Sequence, residues 1–184
     1  MVEFITNMDL AILEAIQGIK CGFLDVFFPI FTRIGGDKGL FWIIIAVIAL
    51  CFKKTRKMGI CMVLAIIFGS LMCNVTIKPI VARPRPFTYP HAMLGVDDLL
   101  IKKPSEFSFP SGHTTSCFAA ATAIFLHNKK WGIGALVIAA LVGFSRMYLY
   151  VHFPTDVLVG VIVGLIAGML ACAVINYLFK NKEI

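Results

Sequence analysis

Two histidines in this sequence stand beside residues that could give them chemical roles. His152 is followed four positions later by Asp156, and a carboxylate can hold one nitrogen of an imidazole ring while the other nitrogen faces a ligand. Pro154, between them, is typical of the first turn of a helix, which places His152 just before a helix and Asp156 in its first turn. His113 follows a Pro-Ser-Gly sequence at the start of another apolar segment. The patterns predict a nucleophile at His152, supported by Asp156, and a general acid at His113.

Positive charge is concentrated near the same segment ends, where a charge is costly unless it has a task. Lys78, Arg85 and Arg146 supply fixed charge, and the arginines carry forked donors that suit phosphate oxygens. Ser111 and Gly112 follow a proline at a predicted helix start, where free N–H groups and the helix dipole attract anions. The serine hydroxyl adds a donor, and glycine allows close backbone approach. Together these five residues predict a phosphate-binding site.

The elements that must position these residues are membrane helices. Of the 184 residues, 59% are hydrophobic and only 15% are charged, and the mean hydropathy is +0.90. A soluble domain of this length could not hide so much apolar surface, so the sequence indicates an integral membrane protein with a single domain over residues 1–184. Apolar runs occur at residues 21–34, 39–52, 58–77, 114–126, 131–149 and 157–179.

We expect an all-α, polytopic bundle of six transmembrane helices. A span needs about 20 residues, so the third, fifth and sixth runs are long enough, whereas the first two are short. The fourth run reaches the required length only if its helix begins at Pro110. Residues 8–19 place Asp9, Glu14 and Gln17 among apolar side chains, which is typical of a short helix lying in the membrane interface.

Topology predicts that all the candidate residues share one membrane face. Consecutive spans run in opposite directions, so the end of the third, the start of the fourth, the end of the fifth and the start of the sixth lie together. Short basic breaks at 53–57 and 127–130 fall on the other face, which we assign to the cytoplasm because positive short loops are retained there. The candidate site is then expected on the extracytoplasmic face of the plasma membrane.

The remaining polar and sulfur-containing residues predict little chemistry. The net charge of +7 lacks a basic block interleaved with aromatic residues, which favours membrane topology and an anion site over nucleic-acid binding. Six cysteines lie in or beside apolar segments without Cys-x-x-Cys pairing, so buried thiols are expected rather than disulfides or a metal cluster. Arg83 is expected to contact a headgroup or the loop, Glu106 to be a solvated loop acid, and His91 and His127 to be ordinary loop residues.

The candidate residues form an ordered pattern that resembles the complete three-part signature of the type 2 phosphatidic acid phosphatase superfamily. The first part is Lys78, six residues, then Arg85-Pro86; the second is Pro110-Ser111-Gly112-His113; the third is Ser145-Arg146, five residues, His152, three residues, Asp156. These motifs cover residues 78–156, and the helical layout extends the resemblance over nearly the whole chain.

The resemblance implies a metal-independent phosphohydrolase of membrane lipids that needs no cofactor and works through a phosphohistidine intermediate. His152 would attack phosphorus, Asp156 would orient it, and His113 would protonate the leaving oxygen. The residues implied to hold the phosphoryl oxygens are Lys78, Arg85, Ser111, Gly112 and Arg146.

The expected substrate is undecaprenyl diphosphate, because the compact chain resembles small bacterial members that recycle carrier lipids. Phosphatidylglycerophosphate or phosphatidate is the close alternative. A non-catalytic phosphate-lipid binder or transporter is the alternative of another class, although such a protein would be expected to lose His113, His152 or Asp156. The soluble haloperoxidases of the same superfamily, which hold vanadate, are disfavoured by the six apolar runs.

Overall fold

A computed structural model describes residues 2–35 and 39–180, and these residues form helices and turns without a β-strand. The fold class predicted from the sequence is therefore confirmed as all-helical for the described residues. The helices are α1 (Val2–Gln17), α2 (Gly22–Phe31), α3 (Leu40–Leu50), α4 (Arg56–Ser70), α5 (Lys78–Val81), α6 (Gly112–His127), α7 (Lys129–Tyr148) and α8 (Pro154–Leu178).

Within the described part of the chain, three helical stretches are long and apolar enough to cross a membrane. They are Arg56–Thr88, Lys129–Tyr148 and Pro154–Leu178. The Leu40–Leu50 helix is apolar but shorter, and α6 has 16 residues. The three long predicted runs thus correspond to the three long helical stretches, and the count of six spans stays a prediction.

Small side chains allow α6 and α8 to pack closely in the middle of the bundle. Gly160, Gly164 and Gly168 repeat every four residues along α8 and face α6. A Cβ atom at Gly164 would lie 2.7 Å from the backbone oxygen of Thr115 and 2.7 Å from Cβ of Phe118. Membrane helices associate through such small-residue stripes because lipid tails give no hydrophobic drive for helices to pair. The bundle interior is accordingly built from van der Waals contact.

The polypeptide between α4 and α5 is wound as a π-helix over Leu71–Ile77. Pro79 provides a physical reason, because its ring lacks an N–H and clashes with the carbonyl one α-helical turn earlier. Widening the preceding turns removes that clash without ending the helix. Wide turns of this kind often occur at functional sites, and here the segment leads directly into Lys78.

A second, smaller apolar core closes one end of the bundle. It joins Leu10 and Leu13 of α1 to Phe87 and to the buried turn between α7 and α8. Phe87 lies in the long loop between α5 and α6, residues 82–111. That turn includes Tyr150, whose φ of 58° is uncommon for a residue with a side chain. The reversal at Tyr150 brings the chain from α7 directly to His152.

The N-terminal helix differs from its sequence-based description. We predicted a helix over 8–19 lying in the membrane interface, and the structure has α1 over Val2–Gln17 with Asp9 and Gln17 buried. Gln17 Nε2 donates to the carbonyl of Tyr148 at 3.0 Å, and Asp9 Oδ1 accepts from the N–H of Thr155 at 3.1 Å. The polar residues therefore attach α1 to the bundle.

The cysteines are all free thiols, as expected, but not all are buried. Four are buried and two, Cys21 and Cys51, are exposed. The prediction of burial was wrong for those two because both lie at helix ends, where an apolar run does not guarantee packing.

Candidate active site

The predicted site residues meet at one end of the bundle, around a cavity of about 950 Å³. Topology had predicted this meeting, since the cavity lies where α5 follows α4, α6 begins, α7 ends and α8 begins. Ser111 and Asp156 lie just outside the cavity wall. The predicted residues that line the cavity are Lys78, Arg85, Gly112, His113, Arg146 and His152.

His152 is buried, 2% exposed, in the short connection between α7 and α8. Its Nε2 lies 3.3 Å from an Nη1 nitrogen of Arg85, and its Nδ1 lies 3.5 Å from Oδ2 of Asp156. That second distance exceeds a normal hydrogen bond, and contacts of this kind tighten when a reacting group is in place. Burial lowers the pKa of His152 to about 3, against the opposing pull of the Asp156 carboxylate. The imidazole is therefore neutral near pH 7, as a nucleophile must be.

Asp156 is held by donors on three sides. As the third residue of α8 it accepts the N–H of Phe153 at 2.9 Å, which caps the helix. The hydroxyl of Ser108 donates to the same carboxylate oxygen, and Arg83 donates to the other oxygen at 2.8 Å. The carboxylate is thus fixed in orientation beside the His152 ring.

Arg83 has a different role from the headgroup or loop contact that we predicted. Its Nη1 donates to Asp156 and its Nη2 to Asp9, both at 2.8 Å, and its guanidinium carbon lies 3.8 Å from the ring centroid of Phe153. We call Asp9, Arg83 and Asp156 the acid–arginine network. Nothing in the sequence around Arg83 indicated this pairing, because its partners lie 74 and 73 positions away.

Arg85 and Arg146 are buried at the cavity wall with donors to spare. Arg85 donates from Nε to the Glu106 carbonyl and from Nη1 to the Val151 carbonyl, both at 2.7 Å. Arg146 donates from Nη1 to the Thr32 hydroxyl at 2.9 Å, and its buried Nε has no hydrogen-bond acceptor among the described residues. A buried cation with an unused donor favours an anionic ligand.

Lys78 is buried and forms an ion pair with Glu106, with Nζ 2.9 Å from Oε2. Glu106 is the solvated loop acid that we predicted, with a side chain 68% exposed, and it also has a partner that we did not predict. The long loop therefore places the Glu106 carboxylate in the cavity lining, next to Lys78, one of the residues predicted to bind phosphate.

Ser111 and Gly112 form the start of α6. The Ser111 side chain is the helix cap, accepting from the N–H of Thr114 at 3.5 Å and from its hydroxyl at 2.9 Å. Its own N–H donates to the backbone carbonyl of Asp156 at 3.0 Å, which joins α6 to α8. A Cβ atom at Gly112 would lie 3.0 Å from Oδ1 of Asn74, so the absence of a side chain lets Asn74 pack against the start of α6.

Asn74, Thr32 and Ser108 are polar neighbours of the site that no sequence motif includes. Asn74 and Thr32 line the cavity, and Ser108 contacts Asp156 from outside it. Isolated polar residues in apolar or loop segments carry no spacing signal, so only the fold could identify them.

Comparison with known proteins assigns the chain to a family. Residues 58–180 match the PAP2 superfamily. An undecaprenyl-diphosphatase of Sulfolobus acidocaldarius is 36% identical over 120 residues, 65% of this chain and 56% of that protein. A lipid A 4'-phosphatase of Bacteroides thetaiotaomicron is 29% identical over 172 residues, 88% of this chain and 74% of that protein.

A solved structure agrees with these relatives. The crystal structure of a transmembrane PAP2-type phosphatidylglycerolphosphate phosphatase from Bacillus subtilis superimposes with a TM-score of 0.74 at 31% identity, covering 97% of this chain and 88% of that chain. The chain therefore belongs to the PAP2 superfamily, and its class is that of the hydrolases acting on phosphate esters. The family predicted from the three-part signature is confirmed.

Proposed function

We propose that this protein is an integral membrane lipid phosphatase that cleaves a phosphate monoester or pyrophosphate through a phosphohistidine at His152. The observation that carries the proposal is the buried His152, with Asp156 3.5 Å from Nδ1 and Arg85 3.3 Å from Nε2. With its proton on the nitrogen nearer Asp156, the ring would keep the Nε2 lone pair free of a proton, on the side where Arg85 lines the cavity.

The proposed reaction has two steps. In the first, Nε2 of His152 forms a bond to phosphorus as the bond to the leaving oxygen breaks, and His113 donates a proton to that oxygen. In the second, His113 takes a proton from water, the water oxygen bonds to phosphorus, and the N–P bond breaks to release phosphate. Both histidines return to their starting protonation states.

Positive groups around the cavity would stabilise the charge on the transferring phosphoryl group. Arg85, Arg146 and Lys78 provide the charge, and Gly112 at the N-terminus of α6 provides a backbone donor, while Ser111 caps that helix. Because these three cationic side chains would stabilise the phosphoryl charge, the proposed chemistry needs no metal ion.

For the substrate we propose undecaprenyl diphosphate, with phosphatidylglycerophosphate or phosphatidate as the alternative. Support comes from the Sulfolobus relative, named an undecaprenyl-diphosphatase, while the superimposed Bacillus structure is of a phosphatidylglycerolphosphate phosphatase. We further propose that the protein lies in the plasma membrane with the cavity on the extracytoplasmic face, since the basic breaks at 53–57 and 127–130 lie at the opposite end of the bundle.

Phosphate release from a lipid panel tests the proposal. Purified protein in EDTA would be given undecaprenyl diphosphate, undecaprenyl phosphate, phosphatidylglycerophosphate and phosphatidate in mixed micelles. We expect release that His152→Ala abolishes and His91→Ala, an exposed loop control, leaves unchanged. A ³²P-labelled substrate should also leave an acid-labile label on the wild-type chain.

Two results would contradict the proposal. Binding of labelled lipid without release by the wild-type protein would indicate a non-catalytic binder or transporter. Equal release by wild type and His152→Ala would exclude His152 as the nucleophile, whatever the substrate.

A further inference from the structure

A second cluster of reactive side chains lies at the opposite end of the bundle from the candidate active site. Cys61 is near the start of α4, Cys172 near the end of α8, and His127 is the last residue of α6. Both thiols are buried, at 0% and 3% exposure, while His127 is exposed. From the sequence we expected buried thiols rather than a metal cluster, and an ordinary loop residue at His127, because no ligand spacing connects the three. The ends of three helices bring them together.

The three side chains have the geometry of a metal site. Cys61 Sγ lies 3.7 Å from Nε2 of His127, and the ligand atoms of all three residues lie within 4.8 Å of one another. Tetrahedral zinc with bonds of about 2.3 Å to sulfur and 2.0–2.1 Å to nitrogen requires sulfur and nitrogen about 3.6 Å apart. The observed Cys61–His127 separation is close to that value, and the Cys172 sulfur lies within 4.8 Å of both ligand atoms.

The histidine is held in the tautomer that a metal requires. His127 Nδ1 lies 2.8 Å from the backbone carbonyl of Ala123, and a carbonyl can only accept, so Nδ1 carries the proton. The lone pair of Nε2 is then directed towards Cys61. An N–H bonded to a backbone carbonyl behind the ring is the usual second contact of a metal-binding histidine.

A cavity of about 440 Å³ gives access to the cluster from this end. It is bordered by both His127 and Cys172, and also by Lys57 and Asn176. An incoming ion could therefore reach the cluster with a water molecule as its fourth ligand.

We propose that Cys61, His127 and Cys172 bind one thiophilic divalent cation, of the chemical class of Zn²⁺, and that this ion ties together the ends of α4, α6 and α8. Two thiolates balance the two charges of the ion, and binding releases the two thiol protons to solvent. Sulfur ligands and an imidazole select this class over Mg²⁺ or Ca²⁺, which prefer oxygen. The tie is structural and separate from phosphate chemistry.

Cobalt(II) binding tests the site directly. The full chain, purified in detergent with a non-histidine tag and kept reduced by a phosphine, would be titrated with Co²⁺. We expect a thiolate-to-cobalt charge-transfer band that saturates at one ion per chain and is displaced by Zn²⁺. Cys61→Ser and Cys172→Ser should lose the band, whereas Cys51→Ser, an exposed cysteine at a helix end, should keep it.

Thermal unfolding provides a second measurement on the same variants. Zn²⁺ should raise the Tm of the wild type and of Cys51→Ser, and leave that of Cys172→Ser unchanged. The proposal is overturned if the reduced wild-type protein shows no charge-transfer band, or if Cys172→Ser binds Co²⁺ as the wild type does. Phosphate release in EDTA is measured separately, so failure of this proposal would leave the proposed reaction at His152 untouched.

Discussion

The site end of α8 and its middle are held to the bundle by opposite means. At the first turn, Asp156 is buried among charged and hydroxyl partners. Along Gly160, Gly164 and Gly168, by contrast, the nearest atoms across the contact belong to the backbone and uncharged side chains of residues 111–122. The difference follows from the surroundings, because a charge in the bilayer centre is costly while one near the membrane surface can find partners. We call the closely packed middle of α8, residues 160–168, its shaft, and the first turn with Asp156 its tip.

The largest expected effect is at the tip. Asp156→Asn keeps the size of the side chain but removes the charge that supports a cationic His152 during the reaction. We expect kcat for phosphate release to fall by about 10⁴-fold, as when a histidine loses its carboxylate partner in a hydrolase. Circular dichroism should show unchanged helicity; a fall of less than about tenfold would separate Asp156 from the chemistry.

Breaking the acid–arginine network should damage stability as well as activity. Arg83→Ala leaves Asp9 and Asp156 buried without their shared cation, and removing one partner of a buried ion pair costs about 3–5 kcal/mol in free energy of unfolding. Denaturation in mild detergent measures it, with the exposed Lys53→Ala as control. Arg83→Lys should recover part of the stability but less of kcat, because an ammonium cannot fork between two carboxylates. Equal stability of Arg83→Ala and Lys53→Ala would contradict the network.

Substitutions in the shaft should lower the free energy of unfolding and leave kcat unchanged. In Gly164→Ala the new methyl group would meet backbone and side-chain atoms of α6 at 2.7 Å, and such overpacking costs about 1–3 kcal/mol. Gly134→Ala is the matched control, since a Cβ there meets nothing within 4 Å, and it should be neutral or slightly stabilising. If Gly164→Ala unfolds no earlier than Gly134→Ala, the helices are less tightly packed than the structure shows.

The smallest expected effect is the contribution of His152 to the pH dependence of stability. The pKa of His152 is lowered to about 3 in the folded protein, against about 6.5 when unfolded. Between those values the unfolded chain binds more protons, so His152 contributes its full stabilisation above about pH 6.5 and loses it as the pH falls towards 3. The slope is at most about 1.4 kcal/mol per pH unit. His152→Ala should flatten the unfolding free energy between about pH 5 and 6.5 relative to the wild type; identical slopes would place the titration elsewhere.

The sequence predicted which helix ends meet, but it did not predict contacts between residues that lie far apart in the chain. The candidate residues could be gathered at one end because alternating helices determine which segment ends meet, and each motif lies at such an end. The acid–arginine network could not be predicted, since Arg83 contacts Asp9 only through the way α1 lies against α8. The pairing of Glu106 with Lys78 was not predicted for the same reason: it depends on the path of a long loop, which follows no hydrophobic periodicity.

The π-helical segment at Leu71–Ile77 has a consequence for the direction of every side chain beyond it. An α-helix turns 100° per residue, and a wider winding turns less, so seven residues of π-helix leave the following positions rotationally behind an uninterrupted α-helix. A membrane helix has lipid around much of its circumference, and that angular lag helps decide which side Lys78 occupies. Lys78 is only 6% exposed and lines the cavity, while its neighbour Ile80 is 77% exposed. The segment thus rotates Lys78 towards the cavity, while apolar residues such as Ile80 keep the outer surface of the helix.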